Sequence, residues 1–117
     1  AKRVGTAAVS PTVSPAAHKV VYRTSGIHGY DCKSGHLCVD VWDPTRDTYK
    51  VFDFFQCRTH ALRGFYSTEN PEYENQQTGA STRTYFERSR GDKYLKSDPK
   101  HGPRDINWNP INYIDVC

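Results

Sequence analysis

Leu37-Cys38-Val39-Asp40-Val41-Trp42, then Asp43-Pro44-Thr45-Arg46-Asp47, then Tyr49-Lys50-Val51-Phe52-Asp53-Phe54-Phe55: this stretch decides the fold. Leu37, Val39 and Val41 alternate with Cys38, Asp40 and Trp42. That is the period-two pattern of a strand with one face turned to a core. Pro44 presets the backbone for the second position of a turn, and Asp residues flank it. Residues 49–55 form the returning strand, so the whole reads as a β-hairpin with a longer loop. Phe52 and Phe54 share one face of that strand and Phe55 falls on the other.

Outward from the hairpin, short strands and turns continue. Val20-Val21-Tyr22 is β-prone, and Ser25-Gly26 and His28-Gly29 mark turns. Cys57, Ala61, Leu62 and Phe65 fit one face of a short helix, or an irregular turn. Residues 67–80 are polar and read as loop. Residues 82–88 and 93–96 are two strands about a Ser89–Asp92 turn, residues 97–104 a Pro/Gly loop, and residues 111–116 a final strand. Residues 1–19 are rich in Ala, Val, Thr, Ser and Pro and lack a periodic apolar face. They are expected to be a flexible arm, or one loosely draped over a single domain of residues 20–117. The expected fold is mainly all-β: an antiparallel sandwich or small barrel with short helical turns.

A chain of 117 residues buries one modest core. Hydrophobic residues make up only 36% and aromatic residues 13%, with eight Tyr, so extra stability must come from cross-links. The 16 basic and 13 acidic residues are interspersed, which argues against a nucleic-acid-binding protein. Cys32, Cys38, Cys57 and Cys117 are an even set in a short chain, the mark of two disulfides and an oxidising compartment. Four cysteines allow three pairings. Joining Cys57 to Cys117 would close about 60 residues and contribute roughly 4 kcal/mol; joining Cys32 to Cys38 would contribute roughly 2 kcal/mol. The nearby His28, Cys32, His36 and Cys38 lack the paired spacing of zinc modules, so no metal or cofactor is expected. No stretch approaches a membrane span, and no glycosylation sequon occurs. A secreted, processed monomer is expected.

The segment Cys32-Lys33-Ser34-Gly35-His36-Leu37-Cys38-Val39 resembles the opening of small secreted bacterial βγ-crystallin-like proteins, a group that includes a microbial metalloproteinase inhibitor. Glu74-Asn75-Gln76-Gln77-Thr78-Gly79-Ala80 is similar to the Asn-rich segment of that group. Asn107-Trp108-Asn109-Pro110, leading to Cys117, is similar to its closing segment. Over residues 30–117 the resemblance implies a Greek-key sandwich, an extracellular bacterial origin and pairing of Cys32 with Cys38, leaving Cys57 for Cys117. The inhibitor's second short disulfide loop has no counterpart here. The group's calcium pattern is half-matched, by Asn75-Gln76-Gln77-Thr78.

No catalytic set stands out. His60 is a lone histidine beside the hairpin, and no nucleophile elbow is present. Glu72, Arg88 and His101 follow the chain order of base, phosphate clamp and acid in small secreted ribonucleases. Such an order arises readily by chance, and a secreted ribonuclease or toxin is the enzyme alternative. Arg90-Gly91-Asp92 reads as a turn, with Gly91 supplying a positive φ. The first expectation is a secreted, non-catalytic binding protein whose partner is an extracellular protein such as a peptidase. Trp42, Pro44 and Arg46, around loop 43–48, and Trp108, in loop 97–110, are the candidate binding residues, because exposed aromatics and Arg anchor interfaces; for Trp42 and Trp108 core packing is the competing reading. A surface-interaction protein using the arm is a third reading.

Overall fold

In a computed structural model, residues 9–78, 83–98 and 101–117 are described. Among them are ten strands and no helix: β1 Thr12–Ser14, β2 Lys19–Arg23, β3 Leu37–Asp43, β4 Thr48–Phe54, β5 Thr59–Arg63, β6 Glu72–Asn75, β7 Thr84–Glu87, β8 Lys93–Ser97, β9 His101–Asp105 and β10 Tyr113–Asp115. They form two five-stranded antiparallel sheets. The first runs β1-β5-β10-β7-β8 and the second β2-β4-β3-β6-β9.

The β3–β4 hairpin is the centre of the second sheet, with Leu37 opposite Phe54, Val39 opposite Phe52 and Trp42 opposite Tyr49. Directly opposed residues share a face, so Leu37, Val39, Val41, Phe52 and Phe54 all turn inward. Each is at most 2% exposed. Phe86 and Ile114 meet them from the first sheet, and Phe65, Tyr73, Ile106, Trp108, Ile111 and Val116 complete the core. Trp108 stands edge-on to Phe65 at 5.0 Å and to Phe86 at 5.8 Å.

A small second core lies on the outer face of the second sheet. There Ile27 packs with Cys38 and Val51. The segment 24–36 is folded over this face and held by Asp40. Its Oδ2 accepts the Ile27 amide at 3.0 Å, and its Oδ1 accepts the Glu72 amide at 2.7 Å. Gly26 crosses the carboxylate at φ 61°, where a Cβ would collide with Asp40 Oδ2.

Both disulfides expected from the resemblance form: Cys32–Cys38, six residues apart, and Cys57–Cys117, sixty apart. The first ties the outer segment to β3, and the second ties the end of the chain to the entry of β5.

Three expectations are corrected. No short helical turn forms at Cys57–Tyr66. Residues 59–63 are instead strand β5, because β1 and β10 bond to its two sides, with Val13 opposite Leu62 and Ile114 opposite His60. Pairing on both sides outweighs a helical spacing of four apolar residues. Polar residues 72–75 form β6, and the Pro/Gly stretch supplies β9. In β6 the inward positions include Asn75, which is stabilised by hydrogen bonds in place of apolar contact. Its Nδ2 donates to Ser97 Oγ at 3.0 Å. Beyond it Gln77 donates to the Val116 carbonyl at 2.6 Å and accepts from Thr84 Oγ1 at 2.8 Å. A buried polar network is tolerated when every member is satisfied, and no buried side-chain donor or acceptor among the described residues lacks a partner.

Of the N-terminal arm, residues 1–8 lie outside the described residues. Thr12–Ser14 is laid along the first sheet as β1, with Pro11 buried and its carbonyl accepting Lys50 Nζ at 2.7 Å. The Gly79-Ala80 end of the Asn-rich segment also lies outside the described residues.

Candidate functional site

A five-stranded open sheet has two edges, and each exposes a row of backbone donors and acceptors that must be guarded against unwanted pairing. The four edges here are β1, β8, β9 and β2. β1 is only three residues long and runs into Pro15. β8 carries Lys93 and Lys96, and β9 carries Pro103, Gly102 and flanking charges. β2 likewise pairs on one side only, with β4, and carries Lys19 and Arg23 at its ends; what sets it apart is a pair of apolar side chains left open on one face.

Along β2, Val20 is 41% and Tyr22 40% exposed. They lie opposite Phe52 and Lys50 of β4, on the inward face, beyond the reach of the facing sheet. Phe55, just past β4, is 52% exposed. These three are three of the four large exposed hydrophobic residues among the described residues, Tyr94 being the other. Scattered exposed apolar residues need no explanation, but two alternate ones on one face of an edge strand do; Phe55 lies past β4 on the opposite face.

Cations accompany the pair. The Arg46 guanidinium lies 4.2 Å from the Tyr22 ring centroid, with Lys50 Nζ at 5.6 Å. Lys19 and Arg23 stand at the two ends of β2, which holds no carboxylate. Arg46 is set by its turn. Asp43 Oδ1 accepts the Thr45 amide at 2.9 Å and its hydroxyl at 2.5 Å, and Oδ2 accepts Ser10 Oγ at 2.7 Å. These bonds hold Asp43 below the usual carboxylate range despite its burial, which acts the other way. Asp47, at φ 54°, closes the turn.

The structure thus brings Arg46 and Pro44 to an exposed turn beside β2. Trp42 is half-buried on the outer face, edge-on to Tyr49 at 5.2 Å. Trp108 is a correction. It is fully buried, with Nε1 donating to the Asp40 carbonyl at 3.0 Å, so it presents no surface to a partner. Its polar neighbours Asn107 and Asn109 suggested exposure in the sequence, but they are turn residues that turn the indole inward.

At the Lys19 end of β2 a cleft of about 200 Å³ opens, lined by His18, Lys19, Tyr30, Lys33, His36 and Asp53 among others. A second hollow, of about 140 Å³, shares His18 with it and is also lined by Phe55 and Arg58. His36 Nδ1 meets Asp53 Oδ1 at 2.6 Å, and Tyr30 donates to Asp53 Oδ2 at 2.7 Å. The sequence weighed His36 only as a zinc ligand and passed over His18 and Asp53. The alternation that places Asp53 beside the outward-facing Cys38 was the available signal.

The remaining sequence candidates are separate. His28 pairs with Glu72. Arg88 pairs with Asp92 at 3.1 Å, and His101 bonds Ser97 and Gly102, so the three residues in ribonuclease order each have their own local partner. His60 is buried against Phe54 at 4.6 Å, its pKa lowered by desolvation. Arg90-Gly91-Asp92 forms the β7–β8 turn, with Gly91 at φ 85°.

Fold and edge define a class: a ten-stranded, doubly disulfide-bonded sandwich with one apolar, cation-flanked edge among the described residues. No family model, curated protein or solved structure matches the chain. Among the described residues no helix is long and apolar enough to cross a membrane.

Proposed function

We propose that this is a secreted binding protein that takes an extended, acidic segment of an extracellular partner as an added strand on β2. The observation that carries this reading is the exposed pair Val20 and Tyr22 on the β2 edge, with Arg46 over the Tyr22 ring. Strand addition draws affinity from main-chain hydrogen bonds and specificity from alternate side chains. Val20 and Tyr22 would supply the apolar contacts, and Lys19 and Arg46 would favour carboxylates. The two disulfides support secretion, and they support affinity by limiting the motion lost on docking. A peptidase is the first partner class to test, since an inhibitor must hold its contact surface rigid. The Cys32–Cys38 bridge and the two-sheet architecture support the crystallin-like Greek-key reading of residues 30–117.

The test uses the oxidised chain against immobilised extended peptides with alternating Glu and Val, and against their Lys counterparts. A parallel panel of secreted metallo-, serine and cysteine peptidases is assayed for inhibition. The acidic peptides are expected to bind the wild type, and Val20→Asp with Arg46→Glu to abolish binding without loss of fold, because both positions are exposed. Equal binding by the variant, or preference for the Lys peptides, overturns the proposal.

A further inference from the structure

The cleft at the start of β2 holds a different arrangement. Asp53 is 5% and His36 12% exposed at the side chain. A buried carboxylate on Nδ1 orients the imidazole and leaves Nε2 as the nitrogen available to the cleft. His18 meets the His36 ring edge-on with centroids 5.3 Å apart. Both rings adjoin Phe55, at 4.7 Å from His36 and 5.9 Å from His18, and half of Phe55 is open to solvent. Lys19 and Arg58 line the two hollows, and Lys33 is held by Asp31 at 2.6 Å.

These groups can move protons, attract an anion and stack an aromatic ring. They offer no free hydroxyl or thiol nucleophile, and Lys33 and Asp31 are paired with each other. No Ser, Thr or Cys lines either hollow, and the one hydroxyl, on Tyr30, is committed to Asp53. Burial and that carboxylate raise the Tyr30 pKa above its usual range. Such a site suits a substrate that carries its own nucleophile beside the bond to be broken. RNA does, because its 2′-hydroxyl adjoins each phosphodiester.

We propose that His36 and His18 are the base and acid of a site that cleaves single-stranded RNA. His36 Nε2 accepts the 2′-hydroxyl proton as O2′ bonds to phosphorus. The P–O5′ bond breaks, and His18 gives a proton to O5′. The products are a 2′,3′-cyclic phosphate end and a 5′-hydroxyl end, and no co-reactant is consumed. Lys19 and Arg58 attract the phosphate, and a base stacks on Phe55. The interspersed charges of the whole sequence gave no sign of this, because the relevant cations are few and gathered at one cleft.

The test is incubation of the oxidised chain with a fluorescent single-stranded RNA and its DNA counterpart, with products weighed by mass spectrometry. RNA is expected to yield cyclic-phosphate ends while DNA stays intact. His36→Ala and His18→Ala are each expected to slow cleavage by about 100-fold or more. His28→Ala, outside the cleft, should leave the rate unchanged. His18 is exposed, so its variant remains informative if His36→Ala misfolds. RNA left intact, whether bound or not, overturns the proposal, and so does cleavage that survives both substitutions.

Discussion

Replacing Asp40 with alanine probes the contact that holds the outer segment, and with it Tyr30 and His36, onto the second sheet. The carboxylate is 2% exposed and accepts two backbone amides, from Ile27 and Glu72. Burial pushes its pKa up from 3.8 to about 6, although both amides pull it down. The folded chain therefore holds this proton more tightly than the unfolded chain. The stability so gained is complete below about pH 4 and is lost as pH rises through 6. It amounts to about 3 kcal/mol. Alanine removes both acceptors, and each orphaned amide costs about 1–3 kcal/mol. It also removes the cost of burying the charge. The variant should thus fall furthest below the wild type near pH 4, and the gap should narrow by about 3 kcal/mol toward pH 7.5. Urea unfolding followed by tryptophan fluorescence at four pH values measures the gap directly. Groups common to both chains cancel in the difference. A gap that stays constant, or that widens with pH, would refute the reasoning.

Loss of the sixty-residue bridge, by Cys57→Ala with Cys117→Ala, should cost about 4 kcal/mol, against about 2 kcal/mol for Cys32→Ala with Cys38→Ala. Denaturant midpoints of the two double variants would show the order. Trp108→Ala should cost about 3–5 kcal/mol, because it empties the core between Phe65 and Phe86 and strands the Asp40 carbonyl. Tyr22→Ala, at a partly exposed edge position, should cost about 0.5–1 kcal/mol in the same measurement, from loss of the Arg46 stacking contact.

The centre of the fold was legible because alternation and turn chemistry agreed from Leu37 to Phe54, and the structure pairs those residues throughout. β6 and β9 were not legible. Asn75 and Gln77 face inward as members of a hydrogen-bonded network, so the hydrophobic pattern that announces a strand is missing. β5 misled because Ala61, Leu62 and Phe65 suit a helix locally, whereas its partners come from Thr12–Ser14 and Tyr113–Asp115, far away in the chain. Pro44 and Arg46 were legible as turn residues, and Trp108, weighed both as a core and as a binding residue, stands in the core. Val20 and Tyr22 matter only because β2 ends a sheet, and an edge is a property of strand order that no local window contains. His18, His36 and Asp53 meet across strands and a disulfide loop for the same reason.

Amide hydrogen exchange across residues 19–23, with and without the alternating Glu/Val peptide, tests the docking edge most directly. Strand addition predicts that alternate amides of β2 slow on binding while those of β8 and β9 are unchanged. Protection confined to another edge, or none at all under saturating peptide, would contradict it.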